Sequence, residues 1–405
     1  MQFDQAARME WKRGWPVVLG VALASGFGLP LFYFTSNLFI PGMTEEFGTS
    51  RGAISNVQAL IVVGALAAPL IGRVLDRRGF RFVFLLSALA IIATYIGLGL
   101  WASSIWHFAV VTFVIGVAGL GCGPLAYTRP INAWFLANRG LALGLASISV
   151  TFTTFFVAPA LAWLIAEHGW RSGNLALAAL FGLIALPFAM LLVRNEPDAP
   201  VAGPASVTAA VEDKSFLGDR DFLLMVAAII LMAVPGAGLV SSNSLLVQDE
   251  GFSVAAAAWG VSAYAVGQML GRIVAGWFLD RADPRRVAFF FTFVPAIGLV
   301  GLALFDLPYA AAILAIAMVG VQQGAEIDLF AYFVARRFGL ARYGQVYGWI
   351  TAAGWVGSAI GIVSFGQMYD LTGGYAIVEA VGAVLMMLGA VVIALVRLTP
   401  IRGSA

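Results

Sequence analysis

Charged side chains are scarce in this sequence of 405 residues. Asp, Glu, Lys and Arg make up 11% of it, whereas 61% is hydrophobic and the mean hydropathy is +0.93. A soluble domain has about 25% charged residues. A chain of this length with so few charges cannot cover itself with a water-compatible surface, which excludes a soluble globular protein. We therefore expect the lipid bilayer to be its solvent.

Residues that carry catalytic chemistry are scarce as well. The single cysteine, Cys122, excludes an internal disulfide, and its place in an apolar, glycine-rich run favours a small packing residue. The sequence has no HExxH motif, no metal-ligand cluster, no nucleophile–base pair and no phosphate-binding glycine-rich loop. We expect no enzyme activity, no cofactor, no metal, no direct use of ATP and no nucleic-acid partner. A receptor is disfavoured because the chain lacks a signalling domain.

Long apolar runs fill most of the sequence. A membrane-spanning helix needs about 20 mostly apolar residues. The segment from Met1 to Trp15 is polar and basic, and the run after it lacks a cleavage site, so we expect a first helix that is retained. Twelve membrane-spanning helices are predicted, at 16–38, 53–73, 82–102, 106–134, 141–165, 173–193, 222–245, 255–279, 287–305, 309–334, 345–367 and 375–396.

Basic residues divide unevenly between the two sides of this arrangement. Of the 23 Lys and Arg residues, only Arg51 and Arg171 fall in loops on the side opposite to the N-terminus, and Arg129 and Arg272 lie within helices. Because cytoplasmic loops collect Lys and Arg, both termini are predicted to be cytoplasmic. We expect a multi-pass protein of the inner (plasma) membrane.

One polar stretch divides the apolar runs into two sets of six. Residues 195–221 are rich in Pro, Ala and acidic residues, a composition typical of a linker. The predicted fold class is therefore an all-α membrane protein with two pseudo-symmetric bundles. Its domains are an N-terminal six-helix bundle (1–194), a cytoplasmic linker (195–221) and a C-terminal six-helix bundle (222–405).

An internal repeat supports this division. The sequence GRVLDRRGFR at 72–81 is matched by GWFLDRADPR at 276–285, a displacement of 204 positions (276 minus 72). Coincidence at one displacement in three separate segments is improbable, so we interpret the halves as parallel duplicates. The matched pairs are Gly72 and Gly276, Asp76 and Asp280, Arg77 and Arg281, Arg81 and Arg285, Gly140 and Gly344, Gly144 and Gly348, and Gly169 and Gly373.

The loop between predicted helices two and three, G-x3-D-R-x-G-x-R, resembles the signature loop of the major facilitator superfamily. The resemblance implies two bundles that rock around a central cavity. Asp76 is placed to meet the positive dipole end of a helix from the other half, while the loop arginines hold that carboxylate and lipid headgroups. Such contacts exist only when the cytoplasmic side is closed, so they form a conformational latch. The alternative is that these charges only orient the protein in the bilayer.

The segment WFLANRGLALGLASIS, from Trp134, resembles the signature that joins helices four and five of monocarboxylate transporters and of the bacterial oxalate:formate antiporter. Arg139, Leu141 and Gly144 fit that pattern, whereas Ala137 and Asn138 replace its basic pair. This branch keeps a substrate-binding arginine on helix eight, and the resemblance implies that role for Arg272.

Arg272 also attracts attention by its position. It lies eight residues before Asp280, hence about 12 Å from the cytoplasmic end of its helix and near the middle of the bilayer. A charge there costs about 2.5–3.5 kcal/mol or more, which makes it a functional candidate. Its neighbour one turn earlier is Gln268 rather than an acid, so its planar guanidinium is predicted to bind a substrate carboxylate. The alternative is a structural pair with an acid on another helix.

Other polar residues within the predicted helices complete the candidate site. Glu326 is the candidate for a titrating coupling group, and Asp328 for a relay to Arg281 or Arg285. Arg129 is expected either to guide an anion along the cavity or to extend to the headgroups. Candidate cavity residues are Tyr33, Asn37, Gln58, Tyr127, Asn243, Gln322, Gln323 and Tyr347.

These features together predict a secondary active transporter that moves a small organic anion, a monocarboxylate, by alternating access. The expected partners are the organic acid, protons or a counter-anion, and the lipid bilayer, with the protein acting as a monomer. The alternative is an exporter of hydrophobic or drug-like compounds in which Arg272 is structural. Dependence of transport on a substrate carboxylate separates the two.

Overall fold

The computed structural model describes residues 2–28, 31, 35–49, 57, 60–194, 215–249, 254–305 and 307–398, and every regular element in these residues is a helix. The first half contains α1 (Gln2–Gly26), α2 (Ile40–Phe47), α3 (Leu60–Ala65), α4 (Ala68–Trp101), α5 (Ile105–Ala118), α6 (Pro124–Trp134), α7 (Arg139–Leu180) and α8 (Leu186–Leu192). The second half contains α9 (Arg220–Asp249), α10 (Val254–Leu279), α11 (Pro284–Leu304), α12 (Tyr309–Phe338), α13 (Tyr343–Thr372) and α14 (Ala376–Ala394). Short 3₁₀ or π turns occupy Ser36–Phe39, Gly119–Cys122, Phe181–Ala185 and Ser215–Gly218.

Eight helical stretches of the described residues are long and apolar enough to cross a membrane. The longest, Arg139–Leu192, has 54 residues, which at 1.5 Å per residue is more than twice the thickness of a hydrocarbon core of about 30 Å. Large apolar side chains on these helices face outward: Trp106 is 77% exposed and Phe155 74%. An apolar exterior of this kind requires lipid rather than water around it.

Glycines break the two longest helices where the sequence predicts loops. Gly79 (φ 78°, ψ 172°) interrupts α4, and Gly169 (φ 79°, ψ 165°) interrupts α7. Residues with a side chain rarely adopt a positive φ, so glycine lets the chain change direction without strain. Predicted helices two and three therefore meet at Gly79, and helices five and six at Gly169.

Several predicted boundaries were wrong, among them the end of the first helix, which lies at Gly26 rather than at residue 38. The first helix begins at Gln2 rather than at residue 16, because Ala, Met, Glu, Lys and Arg in the polar segment are good helix formers and Pro16 is accommodated inside the helix. Predicted helix four is not continuous: α5 ends at Ala118, and a 3₁₀ turn and Gly123 precede α6, which starts at Pro124. Glycine and proline at these positions favour a break over a continued helix.

The chain forms two compact units. Unit 1 consists of Met1–Ala137, Leu145–Glu212 and Leu340–Gly348, and its fully buried large side chains include Tyr95, Phe84 and Phe181. Each unit includes a short segment from the other half of the sequence, and in both cases that segment contains the start of a helix.

Unit 2 consists of Asn138–Gly144, Asp213–Gly339 and Trp349–Ala405. Its core is formed by α9, α11, α12, α13 and α14, with Leu299, Ile316, Phe365 and Met386 completely buried. Residues 195–214 of the predicted linker lie outside the described residues, so the proposed division at 194 and 222 stays a prediction.

Candidate functional site

In unit 1, the carboxylate of Asp76 docks onto the first turn of α13. Its Oδ1 accepts a hydrogen bond from the Gly344 amide and its Oδ2 one from the Gln345 amide, both at 2.8 Å. These amides have no partner within their own helix, and the helix dipole adds positive charge there. A Cβ at position 72 would overlap the carbonyl of Gly344, so only glycine allows this approach.

In unit 2, Asp280 makes the same contact with the first turn of α7. Its Oδ1 and Oδ2 accept from the amides of Gly140 at 2.7 Å and Leu141 at 2.9 Å. Burial raises the pKa of Asp280 to about 6, although both amide bonds and the charges of Arg281 and Arg139 act to lower it. A Cβ on Gly276 would overlap the Gly140 carbonyl. All four contacting positions differ from those of unit 1 by the repeat displacement.

The arginines of the second loop copy do not hold the docking carboxylate. Arg281 donates to the carbonyl of Trp277 at 3.1 Å and lies over its ring, and Arg285 bonds Asp283 at 2.9 Å. Both arginines thus have a partner on their own segment, and the relay from Asp328 to Arg281 or Arg285 stays a prediction. In the first copy, Arg77 and Arg81 stay predictions as latch residues.

Arg129 lies beside the docking carboxylate of unit 1. Its Nε is 3.8 Å from Oδ1 of Asp76, and the residue is 9% exposed. Its expected role along an anion path or at the headgroups stays a prediction. A cation here adds to the positive charge that the start of α13 presents to Asp76.

Arg272 is buried in α10 with few contacts for its charge. The residue is 6% exposed, and its Nε and Nη1 have no hydrogen-bond partner among the described residues. Its backbone carbonyl lies against Gly144, where a Cβ would overlap it. A guanidinium in this condition is costly unless a ligand supplies the missing acceptors.

Four glycines hold α10 tightly against α12. Gly267 and Gly271 of α10 face the carbonyls of Ala317 and Val321, and Gly320 and Gly324 of α12 face those of Tyr264 and Gln268; a Cβ at any of the four would overlap that carbonyl. Small residues four apart are typical of closely packed membrane helices. This packing places Gln322 and Glu326 at about the same depth as Arg272, which follows Gly271 directly.

Glu326 is capped by two amides of its own helix. Its Oε2 accepts from Nε2 of Gln322 at 2.7 Å and from Nε2 of Gln323 at 3.2 Å. The hydroxyl of Tyr264 interacts electrostatically with both Glu326 and Arg272. Tyr264 was not among the candidate residues predicted from the sequence, because a tyrosine in an apolar helix belongs to no recognisable motif. The GxxxG spacing of the glycines is the signal that could have placed it.

A model of a protein family described as Major Facilitator Superfamily matches residues 22–362 and, in a second alignment, residues 236–403. The chain belongs to the major facilitator superfamily. It is therefore a multi-pass membrane protein of a transporter family rather than an enzyme, and the predicted fold class, with its twelve helices, is confirmed.

Similar superfamily members include proteins named for carboxylate transport. The chain is 25% identical over 387 residues to "Monocarboxylate transporter 13" of Rattus norvegicus (93% of this chain, 87% of that protein). It is 24% identical over 377 residues to "Gallate transporter" of Pseudomonas putida (81% and 82%). Among solved structures, the fucose:proton symporter of E. coli superposes with a TM-score of 0.74 at 16% identity, covering 95% of this chain and 99% of that one, which shows the shared fold.

Within this superfamily fold, the predicted site residues are distributed over both units. Arg272, the half-buried Gln268, Gln322, Glu326 and Asp328 lie on the α10–α12 pair of unit 2. Tyr127 and Tyr347 are buried in unit 1, at 3% and 4% exposure. Tyr33 and Gln58 lie outside the described residues, as do the side chains of Asn37 and Asn243.

Proposed function

We propose that this superfamily member is a secondary active transporter that moves a small organic anion, a monocarboxylate, by alternating access, with Arg272 as the carboxylate ligand. The observation that carries the proposal is the buried guanidinium of Arg272, two of whose nitrogens have no hydrogen-bond partner in the described part of the chain. The printed names of two relatives, a monocarboxylate transporter and a gallate transporter, agree with this substrate class.

The internal repeat supports a functional rather than a structural role for this charge. The residue 204 positions before Arg272 is Ala68, and its carbonyl meets Gly348 as that of Arg272 meets Gly144. The same backbone packing is thus achieved without an arginine. A buried charge that the packing does not need is best explained by what it binds.

Other roles in the transport cycle follow from the same geometry. Glu326 and Asp328 are the candidate coupling carboxylates. The docking contacts of Asp76 and Asp280 form the latch that favours a cytoplasmically closed state, and Arg129 supports the first of them. We place both termini in the cytoplasm on the distribution of basic residues, in an inner membrane and with a monomeric transporter.

Arg272→Ala, Arg272→Lys and the control Arg286→Ala, which changes an exposed arginine, test the proposal. Ligands are a panel of monocarboxylates and their amides, and affinity is measured on purified protein in nanodiscs. Loss of a charge-assisted bond costs about 1.5–3 kcal/mol, or roughly 10- to 150-fold in affinity. Arg272→Ala is expected to show this loss and Arg272→Lys part of it, because an ammonium lacks the planar fork.

The control Arg286→Ala is expected to bind like the wild type. Equal binding of acids and amides by the wild type would favour the exporter of hydrophobic compounds instead. Unchanged carboxylate affinity in Arg272→Ala would remove Arg272 from the site.

A further inference from the structure

We infer that Glu326, held by Gln322 and Gln323, is a second pole of the Arg272 site and selects monocarboxylates that carry a hydroxyl group. The inference rests on the proposed function, since it takes Arg272 as the carboxylate ligand. It assigns Glu326 to specificity: its free oxygen accepts the hydrogen of the substrate hydroxyl.

The hydrogen bonds of Glu326 leave one of its oxygens available. Both amide groups donate to Oε2, and Gln323 Nε2 also donates to Oε1 of Gln322 at 3.1 Å. Gln322 and Gln323 lie four and three positions before Glu326 on α12, so both are neighbours of Glu326 on the helix surface. No described residue donates to Oε1 of Glu326, and the residue is 8% exposed. A ligand donor is the group that fits this oxygen.

Arg272 and Glu326 have opposite charges at about the same depth, yet they do not neutralise each other by direct contact in the described structure. Each is more than nine-tenths buried, and the glycine contacts between α10 and α12 fix the backbones that carry them. Two buried and incompletely paired groups of opposite polarity are expensive without a ligand. A molecule with an acceptor at one end and a donor at the other satisfies both.

A monocarboxylate with a hydroxyl group has this pair of ends. Its carboxylate accepts from the guanidinium, and its hydroxyl donates to Oε1. An analogue without the hydroxyl leaves Oε1 of a largely buried carboxylate without a donor from the ligand, and sites built to bind a hydroxyl reject such analogues strongly. The two poles also fix the orientation of the ligand, because the reversed molecule would bring its carboxylate toward Glu326.

The glutamine–glutamate arrangement is not required by the helix packing. The positions 204 residues before Gln322, Gln323 and Glu326 are occupied by Ala118, Gly119 and Cys122. The first half therefore builds the corresponding segment from small residues. The polar set of α12 is an addition to the shared framework, as Arg272 is on α10.

The experiment compares ligand pairs that differ only by a hydroxyl group: benzoate with 4-hydroxybenzoate, propanoate with lactate, and butanoate with 3-hydroxybutanoate. Equilibrium binding is measured for the wild type, Glu326→Leu, Gln322→Leu, Arg272→Ala and the control Glu379→Gln, which changes a buried carboxylate on α14. In at least one pair, we expect the wild type and the control to favour the hydroxylated member by about 10-fold or more.

Glu326→Leu is expected to bring this ratio close to 1 while the affinity for the plain acid stays within about threefold of the wild type, because its bond to Arg272 remains. Gln322→Leu is expected to lower the ratio partly. A wild-type ratio near 1 in every pair, or an unchanged ratio in Glu326→Leu, overturns the inference and leaves the proposed function standing. If no carboxylate binds, or if Arg272→Ala binds carboxylates as tightly as the wild type does, both the proposed function and the inference are wrong.

Discussion

The docking contacts at Asp76 and at Asp280 use backbone amides at matched positions of the two halves, but the surrounding side chains differ. In unit 1, Tyr343 bonds the hydroxyl of Thr128 at 2.7 Å and accepts from Asn132 at 3.3 Å. In unit 2, the equivalents of these three residues are Arg139, Tyr332 and Arg336, and both guanidiniums lie 5.7 Å from the centre of the Tyr332 ring. The repeat has kept the amide–carboxylate contacts and changed the side chains that support them.

The helices on either side of these loops in the sequence differ more. In the second half, α10 and α12 carry Arg272, Gln322, Gln323, Glu326 and Asp328, whereas the matched positions of the first half hold Ala68, Ala118, Gly119, Cys122 and Pro124. Contacts that both halves share maintain the fold, whereas polar residues found in one half alone indicate a function of that half. The following predictions test that distinction, from the largest expected effect to the smallest.

Exchanging the residues of the matched pair Ala68 and Arg272 gives the largest effect. Ala68→Arg buries a charge where the structure shows 0% exposure, so we expect a loss of about 2.5–3.5 kcal/mol in stability. Arg272→Ala removes a buried charge and is expected to leave ligand-free stability equal or higher while carboxylate binding falls. Thermal melts in detergent, with and without a carboxylate, measure both. Strong destabilisation by Arg272→Ala would mean that the arginine belongs to the architecture after all.

The pH dependence of stability probes the second docking contact. Because the pKa of Asp280 rises from 3.8 to about 6 in the native state, the folded protein holds this proton more tightly than the unfolded chain. The resulting stabilisation is complete below about pH 4 and is lost as the pH rises through 6, a change of up to about 3 kcal/mol. Melting curves of the wild type and Asp280→Asn between pH 4 and 7 should therefore differ in slope. Parallel curves would contradict the burial of this carboxylate.

Asp76→Asn and Asp280→Asn compare the two docking contacts directly. Each replaces one acceptor oxygen by a donor that faces an amide, so we expect a shift toward the inward-open state of roughly 0.3–2 kcal/mol. A cysteine introduced at the buried Val346 in a Cys122→Ala background should then be labelled about 2- to 30-fold faster from the cytoplasm in Asp76→Asn. For Asp280→Asn, the cysteine is introduced instead at Asn138, which lies in the segment that Asp280 contacts. Unchanged labelling would leave the loops with a role in membrane orientation only.

Features tied to periodicity were predictable from the sequence. Apolar run length gave the helix number and the all-α fold, and the displaced glycines and aspartates located both loops. Helix ends were less predictable. The polar segment before Pro16 extends the first helix beyond its apolar part. Hydropathy shows where a helix can cross the bilayer, but it does not show whether the polar residues next to that segment are helical.

Side-chain partners were the least predictable features of the site. Helical spacing alone did not indicate that Arg129 lies next to Asp76, since 53 positions and the whole of α5 separate them in the sequence. The flexible Arg281 turned to the adjacent Trp277 rather than to a carboxylate. Tyr264 was missed because its role depends on how closely α10 and α12 approach, which the four glycines decide. The candidate site residues as a group stay predictions.

The glycine contacts between α10 and α12 also set a mechanical property. Two backbones in direct contact cannot separate or slide without losing that fit. A ligand held by side chains of both helices therefore binds between two groups whose separation is nearly fixed. Such a site selects its ligand by length. Along a homologous series of ω-hydroxy acids, affinity should therefore pass through a narrow optimum and fall on either side of it, whereas a compliant pocket would give a plateau.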